Sequence, residues 1–65
     1  MTYHLESWEQ RRQAALQILA NGRLSRAAGS FMGQCVADAS PLSDKQIDWF
    51  LTLAERAGVA VEAEQ

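Results

Sequence analysis

Between Pro41 and Gly58 the sequence spells out a helix together with its start and stop signals, and this constrains the fold more than any other feature of the chain. Ser43 and Gln46 have the spacing of a capping box, in which the serine oxygen accepts from the Gln46 amide and the glutamine side chain returns to the Ser43 amide. Leu42 and Ile47 stand where a hydrophobic staple forms across the helix start, and Asp44 puts negative charge on the first turn, where the helix dipole favours it. Pro41 stiffens the entry. At 100° per residue Ile47, Phe50, Leu51, Ala54 and Ala57 share an inward face with Leu53 at its edge, while Asp44, Lys45, Asp48, Trp49, Thr52, Glu55 and Arg56 point outward. Gly58 supplies the stop. The pattern predicts a helix over 43–57.

Two further helices precede it. Ser7 and Gln10 have capping-box spacing, and Trp8, Arg12, Ala15 and Leu19, flanked by Leu16 and Ile18, fall on one arc of a helix over 7–21. Arg11 and Arg12 lie beside that stripe, where their stems can cover it while their heads reach water. Asn21-Gly22 ends the helix, with the glycine expected in the left-handed conformation. Leu24, Ala28, Phe31, Met32 and Cys35 form the stripe of a helix over 24–38, and Gly29 and Gly33 lie beyond it, four residues apart. Those glycines suit a close helix neighbour, a loosely built helix or a smooth partner groove, and one of the first two is expected. Connections this short make consecutive helices antiparallel or sharply angled neighbours. The reading is an all-α three-helix bundle, one domain over 1–65, with flexible ends at 1–6 and 59–65 and no strand-period stretch.

A chain of 65 residues builds a small core, worth roughly 3–5 kcal/mol of net stability, and chains of this size often lean on a disulfide, a metal or a second copy. Cys35 is the only cysteine, so no disulfide closes within the chain, and with His4 it cannot supply the four ligands of a structural zinc site. No metal and no cofactor are expected, which leaves tight helix packing or homodimerisation. The apolar runs are too short for a membrane span, and the start, MTYHLESWEQRR, lacks the basic-then-apolar order of a signal peptide. A cytoplasmic protein is expected.

The net charge of −2 is unevenly spread: two acids against four arginines leave +2 up to Arg26, and six acids against Lys45 and Arg56 leave −4 beyond it. Arg11, Arg12, Arg23 and Arg26 are therefore the candidates for contact with nucleic acid, although no aromatics interleave them. The outward face of the third helix, with three acids against two bases, would be a poor major-groove reader. An enzyme needs an activated group beside its activator, and the spacing of His4, Cys35, Asp44 and Asp48 assembles none, so no catalysis is expected. Trp8 is expected in the core. Trp49 falls about a third of a turn off the centre of the apolar face, close to Leu53 and Arg56, and tryptophan and arginine dominate interface hot spots. Trp49, Leu53 and Arg56 are the candidate protein-binding residues. Against that stands a core rim that Trp49 merely folds over.

The run from Gly29 to Gly58 also resembles a segment of small phage- and prophage-associated proteins. The shared pattern is a glycine–aromatic–small helix, then proline, leucine, a hydroxyl residue, a variable position, a cation and glutamine. An aromatic and an apolar helix ending Ala-Glu-Arg-Ala-Gly follow. Leu42, Ser43, Lys45, Gln46 and Trp49 carry the match. Similar segments occur as accessory helices in DNA-processing proteins of phages, which implies a nucleic-acid-associated role as the alternative. No zinc-binding cysteines accompany the segment here, and the resemblance transfers no catalytic residue. The expectation is a small non-enzymatic module that binds another protein or itself.

Overall fold

The computed structural model describes residues 2–63. Three helices, α1 (Trp8–Asn21), α2 (Arg26–Ala37) and α3 (Asp44–Ala57), form a small all-α bundle. Two short strands, β1 (Tyr3–His4) and β2 (Val61–Glu62), join its two ends.

The helix signals act largely as their chemistry dictates. At the start of α3 the Gln46 amide donates to Ser43 Oγ at 3.2 Å and the Ser43 amide donates to Gln46 Oε1 at 2.9 Å, which completes the capping box. Its end is a left-handed Gly58 with φ 73°, whose N–H reaches back to the Glu55 carbonyl while the Val59 amide donates to the Ala54 carbonyl. That pair of bonds is the Schellman arrangement, and it turns the chain out of the helix into β2. Helix α2 begins two residues later than expected, because Ser25 is its cap and accepts from the Ala28 amide at 3.1 Å.

Two local expectations are corrected at α1. Ser7 Oγ does cap the Gln10 amide, but the Gln10 side chain accepts from the His4 amide at 2.8 Å instead of from Ser7, so it ties the leading strand to the helix. Gly22 is extended, with φ −96° and ψ 152°, not left-handed. Its glycine is required by crowding: a Cβ there would stand 2.8 Å from the Ile18 carbonyl oxygen, which is backbone and cannot yield.

The core is formed by Leu5, Ala14, Ala15, Ile18, Ala28, Phe31, Met32, Cys35, Phe50, Leu53 and Ala54. On α2 the buried side chains are the expected ones. On α1 the buried stripe is Arg11, Ala14, Ala15 and Ile18, turned by roughly a quarter-turn from the expected one. The reason is size and polarity together. Two alanines without exposed surface let the other helices come close, and that packing leaves Leu16 and Leu19 on the surface at 43% and 39% exposure.

Arg11 is drawn inward by two contacts: Nη2 donates to the Ser40 carbonyl at 2.9 Å, and the guanidinium sits 5.3 Å from the centre of the Trp8 ring. Trp8 is thus a half-buried lid on Arg11, not the core residue expected. Arg12 stays exposed and donates from Nε to the Val36 carbonyl at 3.2 Å.

The ends are the largest departure. Tyr3 pairs with Val61 and His4 with Glu62 in a parallel ladder, with the Tyr3 amide donating to the Ala60 carbonyl and the Leu5 amide to the Glu62 carbonyl. Leu5 is buried, and Val59, Val61 and Ala63 turn toward the core while Ala60 and Glu62 face water. That alternation is the period-two signal of a strand, short enough to be overlooked. The stretches 2–6 and 59–63, expected to be flexible, are therefore tied together, and Met1, Glu64 and Gln65 lie outside the described residues.

Gly29 and Gly33 have no close helix neighbour, since a Cβ at either would meet nothing within 4 Å. Each glycine costs a helix interior up to about 1 kcal/mol relative to alanine. Gly29→Ala with Gly33→Ala is expected to raise the melting midpoint by roughly 5–15 °C, read by circular dichroism. A lower midpoint would mean that a neighbouring element packs against these positions.

Candidate functional site

The candidate site is a groove between the α1–α2 connection and the second half of α3. Residues 21–25 and Ala28 form one wall, and Trp49, Leu53, Arg56 and Ala57 the other, around a volume of about 560 Å³. Small-molecule sites span about 300–1,000 Å³, so the groove has room for a few side chains but not for a folded partner.

Trp49 is positioned by stacking. Its ring lies flat on Phe31, with centroids 4.6 Å apart and planes within 1° of parallel, and Phe31 in turn meets Phe50 edge-on at 6.3 Å and 83°. Phe31 and Phe50 are buried, whereas Trp49 is 40% exposed. A surface indole therefore rests on one core ring that is itself braced by a second, and such aromatic pairs are worth about 0.5–1.5 kcal/mol each beyond area burial. The arrangement fixes the plane of Trp49 and leaves part of it bare.

The expected binding residues divide by exposure. Trp49 and Arg56 are exposed, while Leu53 is only 5% exposed and serves as the floor between them. Of the four candidate arginines, Arg23 lines the same groove and Arg26 is exposed at the first turn of α2. Arg11 is buried, and Arg12 spends its Nε on the Val36 carbonyl. The two surfaces that the sequence suggests separately thus meet, through Arg23 and Arg56, at one groove. Leu24 and Ala28 complete it, and Phe31 supports Trp49 from beneath; all three read in the sequence only as stripe residues of α2, and nothing there pairs Phe31 with Trp49.

Charge is sorted along α3. Lys45, Trp49 and Arg56 follow one edge at spacings of four and seven residues, and Asp44, Asp48 and Glu55 follow the adjoining edge at the same spacings. No acid lines the groove, and among the described residues the close contacts between a basic side chain and a carboxylate are those of His4 Nδ1 with Glu6 and Glu62 at 3.6 and 3.7 Å. Those His4 pairs are well exposed, so they contribute little.

Cys35 and His4 do not meet in a reactive pair. His4 lies on β1 between two carboxylates, and Cys35 is 2% exposed in the core. Burial pushes the Cys35 thiol above its ordinary pKa, a rise partly offset by the nearby Arg11 charge. Below the ordinary thiol pKa both the folded and unfolded chains hold the proton, and stability is undiminished. Above it the unfolded chain ionises first, so stability falls with rising pH until the folded thiol ionises as well. Iodoacetamide at pH 8 is expected to alkylate Cys35 much more slowly in the native protein than in urea. Equal rates would place the thiol at the surface. Asp38 lies at the end of α2; its carboxyl is held below the usual range by the Ser40 amide, which donates to Oδ1 at 2.9 Å, and closes the turn toward α3.

A second hollow of about 260 Å³ lies between the leading strand, α1 and the α2–α3 connection, beside Trp8 and Arg11. Glu6 on its rim makes it a poorer receptor for an anion, and the Arg11 Nε beside it is buried without a hydrogen-bond partner. Among the described residues no helix is long and apolar enough to cross a membrane.

Fold and groove together define a small three-helix protein with one oriented, half-bare aromatic beside two cations. The chain matches no protein-family model, no curated protein and no solved structure.

Proposed function

We propose that this is a non-enzymatic interaction module of the cytoplasm, which acts by binding another protein through the Trp49 groove. The observation that carries the reading is Trp49 itself: stacked on Phe31, 40% exposed, and set beside Arg56 over a buried Leu53. A residue that only covered a small core would gain by turning its apolar area inward, whereas this indole keeps that area at the mouth of a groove. Tryptophan and arginine over an apolar floor are the usual ingredients of a hot spot. The resemblance of residues 29–58 to phage-associated proteins supports a phage or prophage setting, in which a small protein of this kind would act on a larger one.

A nucleic-acid-associated role is the alternative, and it has less support. Arg11 is buried and the exposed Arg12 has its Nε engaged by the Val36 carbonyl, which thins the basic surface expected on the first two helices. Self-association would help so small a core by mass action. The deciding experiment is affinity capture from the source cell with the wild-type chain and Trp49→Ala in parallel. A protein retained by the first and lost by the second supports the reading. Equal capture by both would overturn it.

A further inference from the structure

We propose that the Trp49 groove takes an acidic amphipathic peptide segment, one apolar side chain on the Leu53 floor and carboxylates on Arg23 and Arg56; this inference rests on the interaction reading above.

Three features of the groove select that chemistry. Its lining is largely apolar, with Leu24 and Ala28 in one wall and Leu53 and Ala57 in the other. Its two charged lining residues are both arginines, exposed and without an ion-pair partner among the described residues, in a chain whose net charge is −2. Guanidinium forks match carboxylates in a two-point geometry, which makes Arg23 and Arg56 suited to a pair of acids flanking an apolar anchor.

The shape of the charge argues against a polyphosphate. A nucleic acid needs a continuous basic track, and here the row Asp44, Asp48 and Glu55 runs alongside the Lys45–Arg56 edge of α3. A strand leaving the groove across that helix would meet repulsion within about a Debye length. A short acidic segment lying between Arg23 and Arg56 along the groove need not cross it. Weak affinity is expected, because two exposed ion pairs and one apolar anchor supply most of the attraction and ordering the peptide opposes them.

The test uses the full 65-residue chain, labelled for amide NMR, and three helical peptides of about 15 residues built on leucine. One carries glutamates, the second glutamines in their place and the third lysines; a thymidine oligonucleotide is the fourth probe. The glutamate peptide is expected to shift the Trp49 indole N–H and the amides of residues 21–25 and 56–57. Its affinity should fall about tenfold or more for the glutamine peptide and for Arg23→Gln with Arg56→Gln, and the lysine peptide should leave the groove unshifted. Arg23 and Arg56 are exposed, so the double variant should keep the wild-type melting midpoint.

Equal binding of the glutamine peptide would overturn the proposal, as would tighter binding of the oligonucleotide at the same amides. Groove shifts that grow with protein concentration and no peptide would also overturn it, in favour of a second copy. If none of the peptides binds while cellular capture still depends on Trp49, the acidic chemistry fails and the interaction reading stands.

Discussion

Phe50→Ala is expected to abolish cooperative unfolding altogether. Phe50 has no exposed surface and is among the largest fully buried side chains of the protein. It meets Phe31 edge-on at 6.3 Å, so its removal empties the centre of the bundle and loosens the ring that holds Trp49. Truncating a buried phenylalanine costs about 3–5 kcal/mol, through lost transfer energy and the cavity left behind. A core of this size supplies about the same amount in total. The variant should therefore show no sigmoidal thermal transition by circular dichroism, while Phe50→Leu, which leaves a smaller void, keeps one at lower temperature. A Phe50→Ala protein that melts cooperatively within a few degrees of wild type would mean that the core lies elsewhere.

Trp49→Ala should have the opposite profile, with a large effect on binding and a modest one on folding. What folding loses is one stacked face on Phe31 and some half-exposed area, so stability should drop by about 1–2 kcal/mol. What binding loses is the centre of the groove. Truncating a hot-spot tryptophan costs about 2 kcal/mol or more, which is roughly a thirtyfold loss of affinity for the captured protein. Trp49→Phe keeps a ring on Phe31 and should fall between the two. Titration calorimetry with the captured partner and a thermal melt of each variant read both quantities. Binding and stability falling in proportion would return Trp49 to the role of a core rim.

The contrast between these two aromatics shows how far this sequence can be read. On α3 the residues whose role is local were legible: Ser43 with Gln46, Gly58, and all seven outward residues stand where their spacing puts them, whereas at α1 Gln10 and Gly22 did not. Features that depend on a distant partner were not. Arg11 turns inward because the Ser40 carbonyl and the Trp8 ring receive it, and Ser40 lies 29 residues away. That burial, together with the close packing at Ala14 and Ala15, goes with a buried stripe on α1 turned away from Trp8 and Leu19. The pairing of Tyr3–His4 with Val61–Glu62 joins opposite ends of the chain, and two residues per strand leave almost no periodicity to detect.

The same division holds for the site. Trp49, Leu53 and Arg56 share one side of one helix, so periodicity alone groups them. Arg23 joins them only through the packing of the α1–α2 connection against α3, and Phe31 only through a ring stack between α2 and α3. Sequence reading could find one wall of the groove, but the second needs the fold.

The claim that matters most is that a partner covers Trp49. Hydroxyl-radical footprinting of the protein alone and in an extract of its source cell tests this in one measurement, with Trp8 as the internal comparison. The account predicts that the extract protects Trp49 strongly from oxidation and leaves Trp8 at its free-protein rate. Undiminished oxidation of Trp49, with protection appearing at Trp8 or at the exposed Leu16 and Leu19 of α1, would contradict it.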